Sequence, residues 1–249
     1  MKSSLSRILQ SMLEFSSHPA PAGEKRSLPG PQKYLLITLL IGYPLASVLL
    51  NLIGSADPSG LDSRIRQVYL PSLMVQLLIL SAILIILRRT HSSISEIGLA
   101  GNDVTWANAL SGILFFVGAW IVIIFLRSII EKSGYIPEKE FLYLLPSTAT
   151  EKAFWVILSL GAAFSEEITF RGFIISRFSI LTGKEWHGAV LSSLAFSLGH
   201  LYQGATGLIL TFIYGLMFAG LYVARRSIFP CIVAHFLQDV LILFALGDW

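Results

Sequence analysis

Charge is scarce in this chain. Only 13% of its 249 residues are Asp, Glu, Lys or Arg, while 54% are hydrophobic and the mean hydropathy is +0.72. Soluble domains carry about 25% charged residues, so a water-facing surface of the usual kind is excluded. The net charge is a mere +3. Its basic residues sit at the ends of apolar runs, and no nucleic acid is expected as a partner. Cysteine is nearly absent too: Cys231 stands alone inside an apolar run. An internal disulfide is therefore excluded, and the thiol reads as a packing residue. The chain lacks internal repeats and low-complexity tracts. A secretory leader places an apolar core close to the start, but here the first long apolar run begins near Tyr34; it is expected to be retained as a first span.

What is present is a series of long apolar segments. Seven run approximately over 34–54, 69–87, 106–126, 152–175, 187–203, 206–224 and 228–246. Most approach the roughly 20 residues that span a hydrocarbon core, and lipid offers the backbone no hydrogen-bond partner outside a helix or closed barrel. The expected fold is all-α: a polytopic integral membrane protein of about seven to eight transmembrane helices, with its active site inside the bundle. The eighth span would lie in the 127–150 connection, which holds IPEKEFLYLLP. Residues 1–33 differ in composition. Leu5, Ile8, Leu9, Met12 and Leu13 recur at helical spacing and suit a helix lying on the membrane surface, followed by a Pro-, Gly- and Ser-rich linker. The chain thus divides into a tail (1–33), amino-terminal helices and loops (34–150) and a carboxyl-terminal core (151–249). Gly161, Gly199, Gly215 and Gly220 read as close-packing positions.

Basic residues suggest an orientation. Lys2, Arg7, Lys25, Arg26 and Lys33 precede the first segment. Arg88 and Arg89 end the second, Arg171, Arg177 and Lys184 follow the fourth, and Arg225 and Arg226 end the sixth. All fall on one side if the segments alternate. That side is read as the cytosol, with the amino terminus in it, and the compact chain suggests a prokaryotic inner membrane.

Ionisable side chains at membrane depth are costly and mark function by default. The candidates are Glu166, Glu167, Arg171, His200, His235 and Asp239. Glu167 and Arg171 are four residues apart with the acid first, the favourable order on one helix face. Glu166 points about 100° away around the helix. One carboxylate is neutralised locally while its neighbour stays available, so Glu167 and Arg171 read as a positioning pair and Glu166 as the reactive group. His235 and Asp239 are also four apart, and a carboxylate there is expected to hold the imidazole in one orientation. Counting along helices from the basic ends puts Glu166 about 16 Å deep, His235 about 14 Å and His200 about 20 Å. Three segments thus bring polar groups to a similar level. A carboxylate beside two imidazoles, shielded from lipid, suits activation of water. With a second group for the oxyanion, hydrolysis of an amide bond is the natural reaction.

The spacing EExxxR (Glu166, Glu167, Arg171), FxxxH (Phe196, His200) and HxxxD (His235, Asp239) resembles the three motifs of the CPBP intramembrane proteases, also called the CAAX protease or Abi family. The resemblance covers residues 150–245. It implies a glutamate-dependent endopeptidase in which Glu166 and His200 activate water, His235 and Asp239 face the oxyanion, and Glu167 and Arg171 hold the site in shape. Members that trim prenylated CAAX proteins carry asparagine where this chain has Asp239. Substrates implied are peptides or proteins in the lipid bilayer, prenylated or leader-like. No cofactor is expected. Zinc on Glu166, His200 and His235 is the alternative, since two carboxyls and two histidines have the chemistry of a catalytic zinc site.

Other intramembrane chemistries lack their signatures. There is no HExxH and no GxSG, and the sole Gly-Asp, Gly247–Asp248, has no GxGD context. Two non-proteolytic readings remain: a transporter or proton relay built on buried Glu, His and Asp, and a non-catalytic bacteriocin-immunity or scaffold protein.

Overall fold

The computed structural model describes residues 27–53, 63–134 and 144–245. Among these residues all regular structure is helical, with no strand, and seven rods pack together. Helix α1 is Gly30–Ile37, continued through a π-helical turn, Thr38–Gly42, into Tyr43–Ile53. Helix α2 is Leu70–Arg89, with a π-helical turn, Ile65–Tyr69, leading in. Helix α3 is Trp106–Lys132. Helix α4 is composite: Ala149–Glu166, then π-helical Glu167–Ile175, then Ser176–Thr182. Helices α5, α6 and α7 are Glu185–Gly199, Gly204–Arg225 and Phe229–Ala245. Five stretches are long and apolar enough to cross a membrane: Gly30–Leu49, Ile65–Arg89, Trp106–Lys132, Ala149–Thr182 and Leu201–Arg225. Phe229–Leu243 is apolar but shorter. The chain is an all-α polytopic membrane protein, as its apolar segments imply. The expected surface helix over 5–13 lies outside the described residues. So does 135–143, where the eighth span was expected; α3 itself runs on to Lys132.

Polar side chains start the rods. Thr148 and Glu151 form a reciprocal capping box on α4, and the Thr105 hydroxyl accepts from the Asn108 amide at the start of α3, supplying acceptors to amides that the first helical turn leaves unpaired. Apolar side chains face outward: Met74, Leu78, Ile121 and Phe125 are all exposed, the outward arrangement a hydrocarbon solvent favours. The centre is α4, packed against α2, α5 and α7. Every residue of Glu167–Ile175 is buried.

One end of the bundle is tied by long-range polar contacts. Gln32 of α1 donates to Thr90 (2.6 Å) and Ser92 (2.9 Å) beyond α2. Arg225 donates to Asn108 at 2.7 Å, Arg226 pairs with Glu185, and the Ile228 amide donates to the Gly98 carbonyl. Of the basic residues read as lying on one side, Arg225 and Arg226 take part in these contacts. Two others are not solvated flanks. Arg177 is buried and pairs with Glu96 at 2.8 Å, and Arg171 is buried too. The reason is the length of α4: it continues to Thr182, so its apolar-segment boundary is not its end.

Close approach needs glycine at particular places. Gly161 lies against Leu73, Gly199 against Tyr43 and Gly215 against Ser193, whereas Gly220 has nothing within 4 Å of a built Cβ and is no close-packing position. The tightest helix contact is Gly112 of α3 on α7, where a Cβ would collide with the Pro230 carbonyl and crowd Val233. Gly112→Val is expected to lower stability by about 1–3 kcal/mol through overpacking, measured as a lower unfolding midpoint in detergent. Gly220→Ala is the control, with no loss.

Candidate active site

The acidic pair sits where α4 changes its winding. Upstream, Ser165 donates its hydroxyl to the Gln76 carbonyl of α2 at 2.8 Å, and the Thr169 hydroxyl donates back to the Ser165 carbonyl at 2.6 Å. From Glu167 the helix widens to π geometry over nine residues, a deviation that occurs often at functional sites. The wider turn still keeps Glu167 and Arg171 in register: Arg171 Nη1 donates to Glu167 Oε1 at 3.0 Å, with both side chains essentially out of contact with the surface.

Arg171 is held on both faces. Its guanidinium carbon lies 4.5 Å from the ring centre of Phe196 on α5 and 4.9 Å from that of Phe218 on α6, a desolvated cation–π arrangement. Phe196 also lies 4.5 Å from the His200 ring and 6.4 Å from His235. One aromatic side chain thus touches or neighbours the cation and both imidazoles.

The imidazoles have defined tautomers. His235 Nδ1 lies 2.7 Å from Glu167 Oε1. The Arg171-paired carboxylate only accepts, so Nδ1 carries the proton and Nε2 is the remaining nitrogen. His200 ends α5, and its Nδ1 donates to the Phe196 carbonyl at 2.8 Å. Its Nε2 is likewise the nitrogen left for chemistry. The Glu166 carboxylate lies 3.8 Å from His235 Nε2, and Asp239 Oδ2 lies 3.7 Å from the same atom. Both distances exceed a hydrogen bond but leave the charges strongly coupled away from bulk water. Glu166, His200, His235 and Asp239 all line one cavity of about 930 Å³ between the helices.

The six residues singled out by spacing therefore gather at one place, with one change of partner. Asp239 does not orient His235 through Nδ1. Glu167 does, from another helix, and Asp239 sits on the Nε2 side. Spacing along α7 shows only the i, i+4 neighbour; a partner 68 residues away leaves no mark in the local pattern. Sequence reasoning also passed over polar residues that line the cavity: Tyr43, Gln76, Trp120, Tyr214 and Gln238. A signal existed for two of them, since Gln76 is the lone amide of the apolar run over 69–87 and Gln238 directly precedes Asp239.

Each histidine commits Nδ1, to Glu167 or to a backbone carbonyl, and keeps Nε2, an arrangement that a metal-bound imidazole also adopts. Among the described residues no three His, Cys, Asp or Glu side chains are grouped to hold a metal ion.

Comparison with known proteins agrees with the motifs. Residues 148–241 match the family described as type II CAAX prenyl endopeptidase Rce1-like. No curated protein and no solved structure matches the chain. The matched region runs from the cap of α4 to α7 and contains Glu166, Glu167, Arg171, His200, His235 and Asp239. Over that region, less than half of the chain, the sequence is similar to the CAAX prenyl endopeptidase family, the one its three motifs resemble.

Proposed function

We propose that this protein is an intramembrane endopeptidase that hydrolyses a peptide bond with a glutamate-activated water. The observation that carries the reading is the Glu166 carboxylate set 3.8 Å from His235 Nε2, on the wall of a cavity that His200 and Asp239 also line. In the proposed step Glu166, assisted by His200, takes a proton from water as the water oxygen bonds to the scissile carbonyl carbon. The carbonyl oxygen becomes an oxyanion opposite His235, which donates to it from Nε2 as an imidazolium protonated at both ring nitrogens. Collapse then breaks the C–N bond, and the proton held by Glu166 passes to the leaving amine. Glu167 and Arg171 keep the imidazole aimed.

The substrate class that the family match supports is a peptide or protein reaching the site within the bilayer. A prenylated CAAX-type carboxyl terminus and a leader peptide are the two finer forms. We place the catalytic core at residues 151–249 and the amino terminus in the cytosol of a prokaryotic cell.

An unbiased comparison tests this. Peptides released by membranes expressing the wild type are compared by mass spectrometry with those released by Glu166→Ala membranes. A set present only with the wild type is expected; identical sets would end the protease assignment. Proton flux in proteoliposomes that Glu166→Gln abolishes, with no peptide released, would favour a proton relay instead. His235→Ala is expected to slow release by about 10²–10³ if the ring faces the oxyanion.

A further inference from the structure

The oxyanion needs donors, and Asp239, one turn beyond His235 on α7, is a poor source of them. An ionised aspartate at 239 only accepts, whereas an amide donates. The residue before it is an amide, Gln238, and it lines the same cavity. His235 lies three residues earlier on α7, so the two share a helix face.

The orientation of the Gln238 amide is determined by its neighbours. The Trp120 indole N–H of α3 donates to Oε1, and the Tyr214 hydroxyl of α6 donates to the same oxygen at 2.9 Å. An indole nitrogen has no acceptor capacity, so the amide oxygen faces Trp120 and the NH2 is turned away. Among the described residues none accepts a hydrogen bond from that NH2. Three helices therefore hold a donor in place at the cavity wall. Such a group stabilises developing charge without reorganising during the reaction.

We propose that Gln238 is a catalytic amide whose NH2 donates to the carbonyl oxygen of the scissile bond as it becomes an oxyanion, supplying at 238 the donor that Asp239 lacks. This rests on the endopeptidase reading. Bond making and breaking are those of the hydrolysis; Gln238 contributes a hydrogen bond and transfers no proton.

The experiment uses the full chain in membranes. The readout is the initial rate of release of the peptides that wild-type membranes produce and Glu166→Gln membranes do not. Gln238→Glu keeps an acceptor for Trp120 and Tyr214 but removes the donors. It is expected to slow release about 10²-fold while its unfolding midpoint stays near wild type. Gln238→Met is expected to be equally slow, and adding Asp239→Asn to it recovers part of the rate by returning an amide to the next position. Wild-type rates from Gln238→Glu overturn the assignment, including the case in which Gln238→Met alone is slow, since that pattern belongs to a structural anchor. Full release by Glu166→Gln would instead overturn the protease reading itself, so the two failures are distinguishable.

Discussion

Glu167→Ala destabilises the protein by about 3–5 kcal/mol, the range for stranding one member of a buried ion pair. Glu167 is fully buried and accepts from both Arg171 and His235 through Oε1. Its removal leaves a guanidinium between two phenylalanine rings with no counter-charge and an imidazole N–H with no acceptor. The cost is read as a shift in the unfolding midpoint in detergent. A second variant separates stability from chemistry. Glu167→Met combined with Arg171→Met replaces the pair by apolar volume and is expected to recover most of that loss, short of the wild type by the His235 N–H that still lacks an acceptor. Peptide release stays lost, because His235 no longer has the carboxylate that fixes its tautomer. A double variant as unstable as Glu167→Ala would contradict this account of the pair.

Glu166→Gln is expected to behave in the opposite way. Glu166 and Glu167 are adjacent in sequence, yet Glu166 Oε2 makes no hydrogen bond to a described residue, so an isosteric amide breaks no hydrogen bond there. The unfolding midpoint should stay unchanged. The rate should fall by about 10²–10⁴, the usual contribution of a positioned general base, with the loss in kcat rather than KM, since the amide occupies the same space. Measuring kcat and KM on a peptide found in the release comparison checks this. A rise in KM at unchanged kcat would assign Glu166 to substrate binding instead.

These two outcomes for neighbouring glutamates follow from partners that lie on other helices. The i, i+4 spacing of Glu167 and Arg171 correctly anticipates their pairing. The change to π winding at Glu167, the phenylalanine rings around Arg171, the Glu167–His235 bond and the anchoring of Gln238 by Trp120 and Tyr214 are not deducible from spacing. Arg177 makes the same point in reverse. In the sequence it reads as a basic residue following the fourth apolar segment, and in the fold it is a buried partner of Glu96.

By itself the sequence determined where the helices lie and which short-range pairs form. In hydrocarbon a helix must satisfy its backbone within its own segment, so an apolar run carries its own structural instruction. Only the tertiary structure decided which carboxylate holds which imidazole and which amide faces the cavity. Those contacts join residues far apart along the chain, and their geometry depends on how the helices pack against one another.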